Sequence, residues 1–268
     1  MKLHIVPART GLEWVRLGIR VFWRQPMALS ALFFTTMAAM SLVTVLPLVG
    51  PAVALALLPS ATLAMMVAAA QASQGRMPTP ALLLVAFRTG RQRLRAMLAL
   101  GAFYAAGFLL VMGVSALVDG GQFAQVYLGG QPLTRELAES GDFQVAMWLS
   151  LLLYVPLSLL FWHAPGLVHW HNVPPVKALF FSIVACLRNL GAFTVYGLAW
   201  LGVFLGAGIA TSLVVSLLAL AGLGAGAAGG VMVATALMLA AMFFTSVVFT
   251  FRDCFEAPEA PQSESPAA

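Results

Sequence analysis

The sequence predicts an all-α, polytopic membrane protein with six transmembrane helices, arranged as three repeated units of a cytoplasmic interfacial helix followed by a transmembrane hairpin. Three observations lead to that class. Of 268 residues, 61% are hydrophobic and 9% charged, against about 25% charged in average soluble domains, and the mean hydropathy is +0.95. The apolar residues gather into six stretches, each long enough to cross about 30 Å of hydrocarbon as a helix of roughly 20 residues. Of the fourteen Lys and Arg residues, all but Arg135 fall in alternate connections between those stretches.

The first span, Met27 to Leu46, is entered from the segment GLEWVRLGIRVFWRQP. Glu13, Arg16, Arg20 and Arg24 recur there at spacings of three and four and so share one helical face, while Leu12, Val15, Ile19, Val21, Phe22 and Trp23 cover most of the remainder. Such a helix is expected to lie in the membrane interface with its apolar side toward lipid. Pro47-Leu48-Val49-Gly50-Pro51 is a tight hairpin leading to the second span, Ala52 to Ala72. The third span, Ala96 to Val118, follows PALLLVAFRTGRQRLR, in which Arg88, Arg91 and Arg95 are expected to share a face in the same way. A long outer connection carrying Asp119, Glu136, Glu139 and Asp142 leads to the fourth span, Gln144 to His163.

The third basic segment, PPVKALFFSIVACLRN, precedes the fifth span, Gly191 to Leu220, which is too long for an upright crossing and must tilt or begin in the interface. An uncharged, glycine-rich outer turn over Gly222 to Gly230 joins it to the sixth span, Gly230 to Phe251. No stretch alternates with period two, which argues against a β-barrel. Residues 1–255 therefore form one membrane domain, and 256–268, rich in Pro, Glu, Ser and Ala, are expected to be a disordered cytoplasmic tail. Anchoring on Arg24, Arg95 and Arg188 places an aromatic residue eight or nine positions later in each unit, at Phe33, at Phe103 with Tyr104, and at Tyr196. That register is the basis for three repeats.

The excess of Lys and Arg in alternate connections puts that side, and both termini, in the cytoplasm. The basic N-terminal region ahead of a full-length span reads as a signal anchor rather than a removable peptide. Cys186 and Cys254 fall at the reducing face, so no disulfide is expected.

Chemistry is sparse. Lys, Arg, Asp and Glu are missing from the central parts of the six spans, where an ionisable group would suggest a proton relay or an ion-coupling site. No G-x-S-x-G, H-E-x-x-H or C-x-x-C-H occurs, and the glycine run lacks the Lys and Ser/Thr of a phosphate loop. Neither an enzyme nor a cofactor is expected. Gly202-x-x-x-Gly206 and Gly101-x-x-x-Ala105 allow close helix approach, within the chain or between copies. Pro59 and Pro156 each remove a backbone donor inside a span, so a kink and a neighbouring cavity are expected.

The run FWHAPGLVHWHN, residues 161–172, holds three of the four histidines. His163, His169, His171 and Cys254 are the candidates for a metal site, with His169 and His171 pointing the same way if the stretch is extended. Against a metal, no Asp or Glu lies between Phe143 and Arg252 to orient the imidazoles, and haem lacks a second axial ligand. The competing expectation is interfacial histidines beside Trp162 and Trp170, with Ala164-Pro165-Gly166 breaking the helix.

Beyond this point the chain resembles a known family. Phe161, Trp162, Ala164, Pro165, Leu167, Val168, Pro174, Pro175, Ala178, Ser182, Cys186, Leu187, Arg188 and Asn189, together with the N-terminal VPARTGLEWVRLGIRVFWRQP, resemble an uncharacterised proteobacterial family of six-helix inner-membrane proteins. The resemblance covers Met1 to about Cys254. More distantly, it is similar to the membrane domain fused to some glycerophosphodiester phosphodiesterases. The resemblance implies fold and location in the bacterial inner membrane, and carries no activity to any residue.

The expected role is accordingly non-catalytic. Arg16, Arg20, Arg24, Arg88, Arg91 and Arg95 are the candidate contacts to lipid headgroups, each worth about 1 kcal/mol near an anionic surface. Membrane lipids are the expected partners, with a homo-oligomer or a membrane-protein partner left open and nucleic acid not expected. A carrier or exporter of a hydrophobic or amphipathic solute is the alternative, and a metal-binding membrane enzyme the third reading.

Overall fold

Prolines and glycines set where the helices begin and end. The computed structural model describes residues 2–47, 49–88, 90–222 and 224–255; the expected tail at 256–268 lies outside them, as do Leu48, Thr89 and Leu223 of the turns considered above. The helices are α1 Thr10–Arg24, α2 Pro26–Thr44, α3 Gly50–Ser73, a 3-10 helix Pro80–Phe87, α4 Arg91–Asp119, α5 Gln122–Gly129, α6 Arg135–Glu139, α7 Gly141–Phe161, α8 Ala164–His171, α9 Pro175–Arg188, α10 Leu190–Leu220 and α11 Ala225–Cys254. Proline occupies the first turn of α2, α3, α8 and α9, where its missing N–H has no intrahelical partner to lose. Ser140 caps α7 by accepting from the Phe143 amide at 3.2 Å. Gly120, at φ 66°, closes α4.

Six helices are long and apolar enough to cross a membrane: α2, α3, α4, α7 with α8, α10 and α11. α2 ends two residues before the expected Leu46; the other five run past the stretches expected from hydropathy, because a backbone in lipid must satisfy its own hydrogen bonds and helices therefore continue past the apolar run. At the outer turn this overrides the glycines. Gly226, Gly229 and Gly230 lie inside α11, and the connection shrinks to Ala221–Gly224.

The basic segment ahead of α4 also differs. Gly90 adopts φ 93° and separates the 3-10 helix from α4, so Arg91 and Arg95 belong to the transmembrane helix itself and Arg88 precedes the break. The face expected to hold all three together is not formed. In FWHAPGLVHWHN the break falls at Trp162 and His163, and Pro165 opens α8 instead of ending a helix. His169 and His171 are thus two positions apart on a helix, roughly 200° around its axis, and do not share a face.

The first helix holds the main departure. Its apolar stripe, Gly11, Trp14, Val15, Gly18, Val21 and Phe22, is buried, but against α10 and α11 rather than lipid. A methyl group added to Gly11 would overlap the Ala192 carbonyl, and one added to Gly18 would overlap Ser246. Trp14 Nε1 donates to Asp253 Oδ2 at 2.7 Å. Arg16, Arg20 and Arg24 are left on the opposite, exposed face.

Of the two small-residue motifs, Gly101 meets the Ala56 backbone as α4 packs on α3, whereas a methyl group added to Gly202 or Gly206 would find nothing within 4 Å. Neither glycine of that motif is thus closely approached by another helix among the described residues. From Leu201 to Leu220 no side chain is buried; the core sits at the other end of the bundle, among α1, α3, α4 and the second half of α11.

Gly18→Ala and Gly101→Ala should each lower the thermal stability of the purified protein by about 1–3 kcal/mol, the usual range for overpacking. Gly202→Ala should leave the melting temperature unchanged or slightly raised. Equal melting temperatures for all three variants would contradict the packing described.

Candidate functional site

Two constellations stand out, one polar and one aromatic. The polar one grows from the α7–α8 break. With its backbone freed there, His163 N donates to Ser182 Oγ at 2.9 Å, and Ser182 Oγ donates in turn to the Leu159 carbonyl at 2.8 Å. The fully buried His163 ring has Nε2 3.2 Å from Thr250 Oγ1 and Nδ1 3.9 Å from Cys186 Sγ. Thr250 gives its one hydroxyl proton to the Val247 carbonyl at 2.7 Å, so toward His163 it accepts and the ring proton lies on Nε2. Trp162 Nε1 also donates to Thr250 Oγ1, at 3.1 Å.

One helical turn beyond Cys186, the buried Asn189 accepts from Val6 N at 2.8 Å through Oδ1 and donates through Nδ2 to the carbonyls of His4 and Ala185 at 3.1 and 3.0 Å. His4 N donates to the Cys254 carbonyl at 2.9 Å, and Leu3 pairs with Phe255 in an antiparallel bridge. The chain enters and leaves the bundle at one point.

Histidine, cysteine and asparagine are thus drawn together as structural polar groups. Burial pushes the Cys186 thiol up from its ordinary range, leaving little thiolate for chemistry at neutral pH. The two cysteines are free and buried. His169 and His171 lie on α8 outside this knot, and among the described residues no three His, Cys, Asp or Glu side chains converge to hold a metal ion. The candidates His163, His169, His171 and Cys254 therefore do not form one site.

The aromatic constellation surrounds a cavity of about 370 Å³ beside Pro59, bounded by Thr62 of α3, Tyr104 and Phe108 of α4, Tyr154 and Ser158 of α7, and Phe243 of α11. A second chamber of about 270 Å³, bordered by Phe123 and Tyr127 of α5, adjoins it through Phe108, Tyr127 and Tyr154. The hydroxyls of Tyr104 and Tyr154 lie 3.1 Å apart, and Tyr104 meets Phe161 edge-on at 5.0 Å. Pro156, expected to border a cavity, is exposed on the outside of α7.

Sequence reasoning missed these walls. Their signal was the pairs Tyr104/Phe108 and Phe123/Tyr127, each four residues apart and so on one helical face.

The predicted headgroup contacts Arg16, Arg20, Arg24, Arg88, Arg91 and Arg95 are all exposed. Among the described residues none of them is in an ion pair; the pair found joins Arg135 and Glu139 at 2.7 Å within α6. Arg91, Arg93 and Arg95 occupy the first turns of α4, which has no side-chain cap and no acidic residue in its first turn.

Six apolar helices crossing a bundle with a buried polar knot and one arginine-rich end define a multi-pass membrane protein. Over 268 residues the chain is 40% identical to a probable inner membrane protein of Burkholderia thailandensis, with 98% of this chain and 97% of the other covered. It belongs to the family of that protein. No family model matches the sequence, and no solved structure matches it.

Maleimide should modify neither cysteine in the folded protein at pH 8 and both after denaturation; rapid labelling of Cys186 before unfolding would contradict its raised pKa. Asn189→Ala strands the Val6 amide and the His4 carbonyl, at about 1–3 kcal/mol for each group left unsatisfied. Limited proteolysis should then cut the segment before α1 faster than it does in the parent protein.

Proposed function

We propose that the protein is a non-catalytic component of the inner membrane that organises anionic lipid at its arginine-bearing end, with both termini cytoplasmic. The observation that carries the reading is the start of α4. Arg91, Arg93 and Arg95 crowd a helix N-terminus whose own dipole favours negative charge. Three cations there oppose the dipole, and an anion such as a lipid phosphate relieves both the guanidinium groups and the uncapped amides. Arg16, Arg20 and Arg24, exposed on α1, extend the basic surface. The distribution of Lys and Arg supports the cytoplasmic assignment of this end.

The chain is further read as three units of surface helix and hairpin, supported by the placement of α1, the 3-10 helix and α9 ahead of the three hairpins. A second reading, a carrier of a hydrophobic or amphipathic solute, is supported by the cavity beside Pro59.

The test is retention of phosphatidylglycerol against phosphatidylcholine by the detergent-purified protein, followed by native mass spectrometry. Replacing Arg91, Arg93 and Arg95 together by Gln should weaken phosphatidylglycerol binding by about a hundredfold, at about 1 kcal/mol per arginine. The Arg16, Arg20 and Arg24 replacements should act in the same direction. Retention unchanged in both variants, or equal for the two lipids in the parent, would reject anionic lipid recognition.

A further inference from the structure

We propose that the two aromatic chambers form one lateral site that takes a single hydrocarbon chain of a membrane lipid. The inference deepens the carrier reading by naming an occupant, and it rests on the cavity alone, without any transport step.

Four observations converge on a chain rather than a polar solute. The chambers share Phe108, Tyr127 and Tyr154, so they adjoin, and their combined lining on α7 runs from Trp148 to Phe161, about 20 Å at the helical rise. That exceeds the ~15 Å half-thickness of the hydrocarbon layer, long enough for an extended acyl or isoprenoid chain.

Among the described residues no Lys, Arg, Asp or Glu borders either chamber, and Tyr104, Tyr154, Ser158 and Trp162 of the inner one already have hydrogen-bond partners within the protein. Tyr104 and Tyr154 bond each other at 3.1 Å, Ser158 Oγ donates to the Val155 carbonyl at 2.7 Å, and Trp162 Nε1 to Thr250 at 3.1 Å. A charged or strongly hydrated group would find no compensation there, whereas an apolar cavity of this size accepts an apolar guest.

The outer chamber opens toward the bilayer. Tyr127, Trp148 and Leu151 on its border are 63%, 62% and 52% exposed, the last two on the membrane-spanning α7. A chain can therefore enter sideways while its headgroup stays in the interfacial layer.

The experiment uses the full chain reconstituted into phosphatidylethanolamine vesicles containing trace phosphatidylglycerol or phosphatidylcholine with a diazirine at mid-chain. After irradiation, labelled peptides are mapped by mass spectrometry. Tyr104, Phe108 and Tyr154 should be labelled as strongly as the lipid-facing stretch Leu205–Leu213, and equally by the two headgroups. The packed residues Trp14 and Phe22 supply the background. Ser158→Trp and, separately, Thr62→Phe fill the inner chamber and should drop labelling of Tyr104 and Phe108 to that background, with Leu205–Leu213 unchanged.

Gln at Arg91, Arg93 and Arg95 should leave the chamber labelling as it was, which separates this site from the basic end. Background labelling of the chamber in the parent protein would overturn the proposal whether or not the filled variants fold. So would undiminished labelling in folded forms of both.

Discussion

Asn189 spends its hydrogen-bonding capacity on segments far apart in sequence: it accepts from Val6 N and donates to the carbonyls of His4 and Ala185. An extended strand laid against helix ends would otherwise present unpaired amides and carbonyls to an apolar surface. Asn189 and the Cys254 carbonyl absorb them, and this fixes where α1 starts. From that point Gly11 passes over Ala192 and Gly18 over Ser246 with no room for a Cβ, and Trp14 reaches Asp253. Since the apolar stripe of α1 is committed to protein, its arginines can only face outward. The exposed basic surface is thus a consequence of the buried amide.

The same end is dense because small residues and short hydrogen bonds let the backbones meet; the middle of the bundle is built differently. Around Pro59 the neighbours are flat rings, with Phe108 and Tyr154 edge-on at 6.1 Å and Phe108 and Tyr127 at 5.9 Å. Rings have few rotamers and cannot collapse into one another as aliphatic side chains do, so space persists between them. Lipid tails are as apolar as leucine and exert no hydrophobic push to close such a gap. The dispersion attraction missing across the gap returns only when something fills it.

The spans and hairpins were legible because a bilayer demands about 20 apolar residues per crossing and that demand is written directly in composition. Less legible was what the apolar face of α1 would touch. Lipid and protein surfaces select the same amphipathic pattern, and the clue lay in Gly11 and Gly18, which make a smooth groove that a neighbouring backbone can use and lipid does not need. The small-residue motifs show the limit of local reading. Gly101-x-x-x-Ala105 and Gly202-x-x-x-Gly206 look alike in sequence, yet Gly101 meets Ala56 while the glycines of the other have open space beside them among the described residues. The two histidines of α8 show the same limit: an extended strand would align His169 with His171, but Pro165 opens a helix and turns them apart. Asn189 belonged to the family-like pattern without any local sign of its role, since its partners at the N-terminus lie more than 180 residues away.

The 31 residues of α10 and the 30 of α11 make the two longest helices. At the helical rise they run about 46 and 45 Å, well beyond a hydrocarbon layer of about 30 Å. Their first and last parts differ in kind: Ala192, Tyr196 and Trp200 are locked into the core, and from Leu201 onward no α10 side chain is buried. With one end held and the other uncovered by protein, this pair behaves as a cantilever whose inclination answers to the surrounding lipid. A thinner bilayer lays it flatter and a thicker one stands it up.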